Sequence, residues 1–476
     1  MNRGGRRERG PAPLSRAGAA ACGLALVVFV LAGCHGGGRE PPLSLPPTPA
    51  GGVLARVAGR CTVDQRHLFS PVSPWSPSGS RLALAGLRAA GEPPAEAAGP
   101  VTPAGVGGGA AAILDPGSWS FTPLDTPGGT LAAWSPDGRR LAVVEAAPPP
   151  PSDGWPEGYS VRLLDALSGA TAGVIQLQPP GSAPPFNVVN DVDWYDGGRL
   201  IISSHAGTAV DTLWLLDAAG GGLSRLTDIT LRFRVSGPAV AFEQWRRGGI
   251  RVGAVDASGA VRWFDPEASQ LLGDAREGRV LLASWPKAGA AGRTPALVLW
   301  GAGEGGWRRR LQDGAGWGSW SRDGKDVAAL AVRAEGGEAA APRVDLVVLD
   351  AARGRVGLRV PLGHAPAGME EQKEQYWSEN RRWFEARRPR WSPAEDRLAF
   401  LDGAGSLWLL DVETRQATCL WARAAAAAEA LGPLVPAPLR LEWSADGRFL
   451  AVFLPVRAAG EADYRVELTV VEVPAG

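Results

Sequence analysis

Few side chains in this sequence have the type and spacing to do chemistry. The 476 residues hold four histidines, His35, His67, His205 and His364, and no two have the spacing of metal ligands. There is no Gly-x-Ser-x-Gly elbow, and no glycine-rich loop of the phosphate- or dinucleotide-binding kind. Six aspartates recur in similar settings: Asp115, Asp165, Asp217, Asp265, Asp350 and Asp411 each close an apolar run such as Leu163-Leu164 or Leu409-Leu410. Regularly placed carboxylates could hold a metal or move protons. Their fixed position at strand ends points to hairpin capping instead, with a carboxylate oxygen accepting amides two residues on. No catalytic, cofactor or metal residue is assigned, and the chain reads as a non-enzyme.

The cysteines offer a different chemistry. An arginine-rich leader (Arg3, Arg6, Arg7, Arg9, Arg16) precedes an apolar run from Ala17 to Leu31. That run is too short to span a membrane as a helix and has the order of an export signal. It ends in Leu31-Ala32-Gly33-Cys34, which resembles the lipobox of bacterial lipoproteins. The resemblance implies cleavage after residue 33 and lipid attachment at Cys34. His35, where an Asp would retain the protein at the inner membrane, implies transfer to the outer membrane of a two-membrane bacterium. Residues 34–52, rich in Gly and Pro, are expected to be a flexible tether. Cys22 leaves with the signal, so Cys61 and Cys419 are the remaining thiols. Export permits a disulfide between them, and two separate buried thiols is the alternative.

What must position any site is a repeat. A tryptophan, a tight turn and a small apolar strand recur, best seen in Trp134-Ser135-Pro136-Asp137-Gly138-Arg139-Arg140-Leu141-Ala142-Val143. Relatives start at Trp75, Trp194, Trp320, Trp391 and Trp443. Pro136 and Asp137 suit the middle of a type I turn, and Gly138 takes the left-handed position after it. Ala394 and Glu395 stand where Asp and Gly would be in the fifth copy, so that turn should have another geometry. Joined to the strand that ends in Asp, each unit reads as strands A to D of a four-stranded antiparallel sheet. Arrays of such sheets form β-propellers.

The tryptophan-turn-strand phrase resembles the propeller repeat of TolB and its relatives more than WD-type repeats, over most of residues 70–476. The resemblance implies an all-β propeller and an interaction platform in the cell envelope. From Trp194 to Trp320 the interval is 126 residues, against 59 and 60 for the two before it. A blade needs about 40–45 residues, so two degenerate blades are placed at roughly 237–280 and 281–319. Eight blades result, with seven as the alternative. After Trp443 only strands A to C fit before the end, so Val53–Val63 is expected to supply the last strand and close the ring. The domains are 1–33 signal peptide, 34–52 tether and 53–476 propeller.

Charge excludes one class of partner. Basic and acidic residues number 49 each, and loss of the leader tips the balance slightly acidic, with no electrostatic footprint for nucleic acid. The long connections (86–111, 145–158, 178–190, 330–343, 362–389, 421–438) all fall between strands B and C or D and A. Those emerge on one face of the disc, the expected binding face. The insertion at 362–389 is expected to hold a helix over Met369–Arg388, acidic early and basic late. Its Tyr376, Trp377, Trp383 and Phe384 fall on one stripe, either packed down as a lid or exposed for a partner. Ala422–Leu431 suggests a second short helix. The functional expectation is a monomeric, lipid-anchored envelope scaffold that binds proteins through the long-loop face. The alternative is a small-ligand, sugar or peptide binder, or a hydrolase or lyase, using the channel mouth. Converging acidic or histidine side chains there would separate the two.

Overall fold

The computed structural model of the chain describes residues 42–46, 52–53, 55–63, 72–79, 81–87, 110–126, 129–147, 158–178, 186, 188–205, 211–228, 232–246, 249–264, 269–285, 295–301, 307–333, 343–364, 384–385, 387–422, 440–456 and 465–474. They form eight antiparallel sheets arranged as a ring, an eight-bladed β-propeller. Blade 2 shows the plan: Gly129–Trp134, Arg140–Ala146, Tyr159–Asp165 and Thr171–Leu177 are strands A to D in order. Blade 1 keeps strand A as a single bridge, Trp75 opposite Leu82.

Each repeat tryptophan ends its strand A and fills the seam to the preceding blade. Trp134 packs with Ala83, Ile113 and Leu124 of blade 1, and Trp443 packs with Leu401 and Leu409 of blade 7. Eight apolar clusters occupy the eight seams; the last joins blades 8 and 1 through Phe453, Leu468, Trp75 and Leu84. The indole N–H adds a latch. Trp134 Nε1 donates to Pro74 O at 2.9 Å, Trp194 Nε1 to Ala133 O at 3.0 Å and Trp443 Nε1 to Arg390 O at 2.9 Å. Trp75 Nε1 donates to Glu442 O at 2.9 Å, which carries the chain of latches across the closure. Trp320 Nε1 and Trp391 Nε1 are buried without a partner.

The turns explain the rest of the phrase. Ser135 Oγ donates to Asp137 Oδ1 (2.6 Å) and accepts from Arg140 N (2.9 Å), while Asp137 Oδ1 accepts from Arg139 N. Gly138 takes φ +69° as its position demands. The same bonds recur at Ser321–Asp323 and Ser444–Asp446. In blade 7 the geometry does change: Ser392 Oγ accepts the amides of Ala394 and Glu395 instead. The strand-C aspartates cap their turns. Asp165 Oδ1, for example, accepts from Leu167 N and Ser168 N.

The two degenerate blades begin earlier than the spacing suggested. Blade 4 runs from Arg232–Ser236 to Val261–Trp263, and blade 5 from Ser269–Arg276 to Trp307–Asp313. Their tryptophan positions hold Val235 and Ala275, opposite Val240 and Val280. Their A–B turns are two-residue hairpins; Glu277 and Gly278 both have positive φ, the primed-turn signature. The Trp263-Phe264-Asp265 phrase is also corrected. Trp263 ends strand D, and Asp256 is the strand-C aspartate, accepting from Ser258 N and Ala260 N.

The start of the propeller domain closes the ring. Val57–Val63 pairs with Arg465–Glu472 as strand D of blade 8, with Cys61 opposite Leu468. Gly59 receives the Trp119 ring from blade 1, since a Cβ there would lie 2.2 Å from it. Gly52–Val53 adds a fifth strand to blade 7 beside Gln416–Ala422. The described end of the expected tether is not free. Leu43 N donates to Arg359 O of blade 6 at 2.8 Å, and Leu43 and Leu45 pack on the seam between blades 6 and 7. Alternating leucines in 42–46 give that segment an apolar face, which the Gly/Pro composition around it obscured.

Candidate functional site: a charged axial cavity

Strand A is the innermost strand of each blade. The residue before each repeat tryptophan lies on the opposite face of that strand, and this position gathers charge: Asp193, Arg390 and Glu442, with Ser319 in blade 6. Asp274 holds the matching place in blade 5, before Ala275. These five line a cavity of about 480 Å³ at the turn end of the axis. Its walls are Trp75, Trp134, Trp320, Trp391 and Trp443, with Ser76, Pro77, Pro393 and Ala445 of the turns at its rim.

Two residues further from the turns stand Asp191, Arg232, Arg388 and Arg440, a second charged layer beyond the cavity lining. Glu385 holds this layer together. Its carboxylate receives Arg388 Nη2 at 3.0 and 2.9 Å and Arg232 Nη1 at 2.9 Å. Arg388 is 1% exposed, and its second Nη donates to Gly273 O at 3.3 Å. Glu442 receives Arg440 Nε at 3.1 Å and Arg390 Nη2 at 3.4 Å.

Burial acts to raise the Glu442 carboxyl, but Arg390 and Arg440 outweigh it and hold the group below its ordinary value. Burial first, then the like charges of Arg388 and Arg232, bring the Arg234 guanidinium down to about 9. Asp193 is pushed up to about 7 by burial, against the Trp194 amide and Arg234. The cavity therefore holds a carboxyl that titrates near neutrality beside permanent cations and aromatic walls. Such a composition can bind a charged or polar small molecule.

The sequence candidates are placed differently. Phe384 is 2% exposed and stacks on Trp317, centroids 4.0 Å apart and planes 11° apart. Trp317, at φ +53° on a bulge of blade 6, is turned to meet it. The foot of the 362–389 insertion is thus packed into the ring. Tyr376, Trp377 and Trp383 lie outside the described residues, as do Cys34, His35, His67, Asp265, most of the expected 369–388 helix and nearly all of the 422–431 helix. Phe384 and Glu385 alone have helical backbone among the described residues. Cys61 and Cys419 are free buried thiols. They sit in different seams, between blades 8 and 1 and blades 6 and 7, so the considered disulfide is not formed. His205 pairs with Asp211 (Nδ1 to Oδ1, 3.5 Å) in blade 3, while His364 ends strand D of blade 6; the two do not form a common site. Among the described residues no three His, Cys, Asp or Glu side chains form a metal-binding group.

The repeat tryptophans dominate the sequence pattern and mask the cavity residues beside them. A charged residue directly before the tryptophan of an apolar strand (Asp193, Arg390, Glu442) was the available signal.

No protein-family model and no curated protein matches the chain. Solved structures with a similar fold include TolB from Acinetobacter baumannii, at 16% identity and TM-score 0.30, covering 54% of this chain and 61% of that one. The chain thus spans about three fifths of the TolB structure. A eukaryotic initiation factor matches at 13% identity and TM-score 0.45, over 90% of this chain and 87% of its own. The Cps50 (Swd1) propeller domain of Myceliophteria thermophila matches at 13% identity and TM-score 0.37, over 74% and 98%. These likenesses concern the propeller fold, which the blade geometry already establishes.

Proposed function

We propose that the protein is an exported, lipid-anchored recognition propeller that binds envelope proteins through the rim carrying its long connections. The observation behind this reading is the contrast between the two rims. The described A–B and C–D turns are short and internally bonded by Ser and Asp side chains. The long connections all leave the other rim, and the longest is footed by Phe384 on Trp317 and Glu385 on Arg232. A rigid ring with one variable rim suits recognition by loops on a scaffold.

The anchor rests on Leu31-Ala32-Gly33-Cys34. Labelling with a fatty-acid analogue should mark the wild type and not Cys34→Ser; retained label would refute the anchor. Deletion of 365–383, which spares the Phe384–Glu385 foot, should abolish partner capture in a crosslinking pull-down from native membranes. Leu167→Arg, on an exposed C–D turn of the opposite rim, should leave capture intact. The reverse result would place recognition on the turn rim.

A further inference from the structure

Strand D is the outermost strand of the ring's own blades, and in blade 5 it opens with Trp307-Arg308-Arg309-Arg310. No other described outer strand carries more than one arginine. All four residues are exposed. Trp307 is 46% exposed, against 8% or less for the six repeat tryptophans. Its ring lies over Gly301 of strand C, where a Cβ would come 2.3 Å from Nε1. This indole belongs to neither of the seam clusters that flank blade 5.

The charge continues onto blade 6. Arg309 Nη1 donates to Ala352 O and, at 3.5 Å, to Ala351 O. These bonds join the strand to the C–D turn that carries exposed Arg353 and Arg355. Five guanidiniums thus share one outer corner of the turn rim. Two described carboxylates accompany them: Asp313 pairs with Arg310, and Asp350 caps the turn by accepting the Ala352 and Arg353 amides. The A–B turns of the two blades do not restore the balance, since Arg276, Arg279, Arg322 and Lys325 stand there against Glu277, Asp323 and Asp326. In a chain with 49 residues of each sign, cations and an exposed indole have gathered in one place. That composition suits a surface lying among anionic lipid headgroups.

The N-terminal segment meets the ring on the same side. Leu43 N donates to Arg359 O in strand D of blade 6, Val356–His364, which begins directly after Arg355. The nine residue steps from Cys34 to Leu43 reach about 30 Å at full extension. A lipid on Cys34 would therefore keep this side of the ring within about that distance of a bilayer.

We propose that the outer corner of blades 5 and 6 rests on anionic phospholipid, as a second attachment beside the acyl chain. The choice of a membrane rests on the anchor proposed above; the charge excess and the exposed indole do not. Docking at this corner turns the long-loop rim away from the bilayer, toward its protein partners.

The test places the full chain with vesicles of phosphatidylcholine, either alone or with about one third phosphatidylglycerol, and reads arginine modification by phenylglyoxal through peptide mapping. Arg308, Arg353 and Arg355 should react at least fivefold more slowly with the anionic vesicles present, while Arg225, exposed on the outer strand of blade 3, reacts at an unchanged rate. High salt should abolish the difference. Trp307→Ser, which alters no charge, should reduce the protection at least twofold. The two vesicle compositions are compared on one chain, so the readout stands apart from acylation. Protection in a chain that takes up no fatty-acid label would refute the anchor and uphold the docking surface. Equal reaction with both vesicles, equal protection of Arg225, or protection by soluble polyglutamate but not by vesicles would overturn the proposal.

Discussion

The indole latches allow a paired perturbation in which the same substitution is made at two seams. Trp134→Phe removes part of a buried ring and also the bond from Nε1 to Pro74 O. Trp391→Phe removes the same atoms from a seam where Nε1 has no partner. Loss of ring area costs both variants about 1–2 kcal/mol. The first variant loses in addition a hydrogen bond worth about 1 kcal/mol net, while Pro74 O keeps the Ala83 amide at 2.8 Å and is not left without a donor. The second discards an orphan donor and so recovers part of its loss. Trp134→Phe should therefore be less stable than Trp391→Phe by about 1–2 kcal/mol. Urea unfolding followed by circular dichroism measures this without relying on tryptophan emission. Equal losses, or a larger loss at Trp391, would refute the claim that the indole N–H joins neighbouring blades.

Three further outcomes are expected. The Asp193 carboxyl is raised from 3.8 to about 7, so the native state holds this proton more tightly than the unfolded chain does. Native stability should fall as pH rises from about 4 to about 7. The full shift is worth about 4 kcal/mol at 1.36 per pKa unit. Because the side chain is only half-buried and partly screened, Asp193→Asn should gain about 1–2 kcal/mol at pH 8 and nothing at pH 4, read from urea midpoints at the two pH values. Burial pushes the Cys61 thiol up to about 12, so native Cys34→Ser protein should resist iodoacetamide at position 61 and react there only after unfolding, as peptide mapping would show. Glu385→Gln should leave Arg388 and Arg232 without their carboxylate and cost about 2–4 kcal/mol, measured by urea unfolding; an unchanged midpoint would remove Glu385 from its role as the clamp.

The repeat was legible because its parts are local. A tryptophan, a Ser-x-Asp-Gly turn and an alternating strand each follow from residues within ten positions, and they placed six blades and the closing strand. Blades 4 and 5 were misplaced because Val235 and Ala275 fill the tryptophan slot and primed hairpins replace the longer turns. Function-bearing geometry was harder to read. Asp193, Asp274, Arg390 and Glu442 come from four blades and span some 250 positions of sequence, and no local pattern says that they share an axis. Phe384 was singled out for its stripe, yet its stacking partner Trp317 lies in the preceding blade. The leucines at 43 and 45 give little signal because glycine and proline dominate the segment around them.

The account turns most directly on closure of the ring by Val57–Val63. Amide hydrogen exchange, followed by mass spectrometry, reads that strand without altering it. The account predicts that the amides of Val57–Val63 exchange as slowly as those of Arg465–Glu472, their partner strand, and open together with them. Exchange of 57–63 at the rate of an unstructured peptide, with 465–472 still protected, would contradict it.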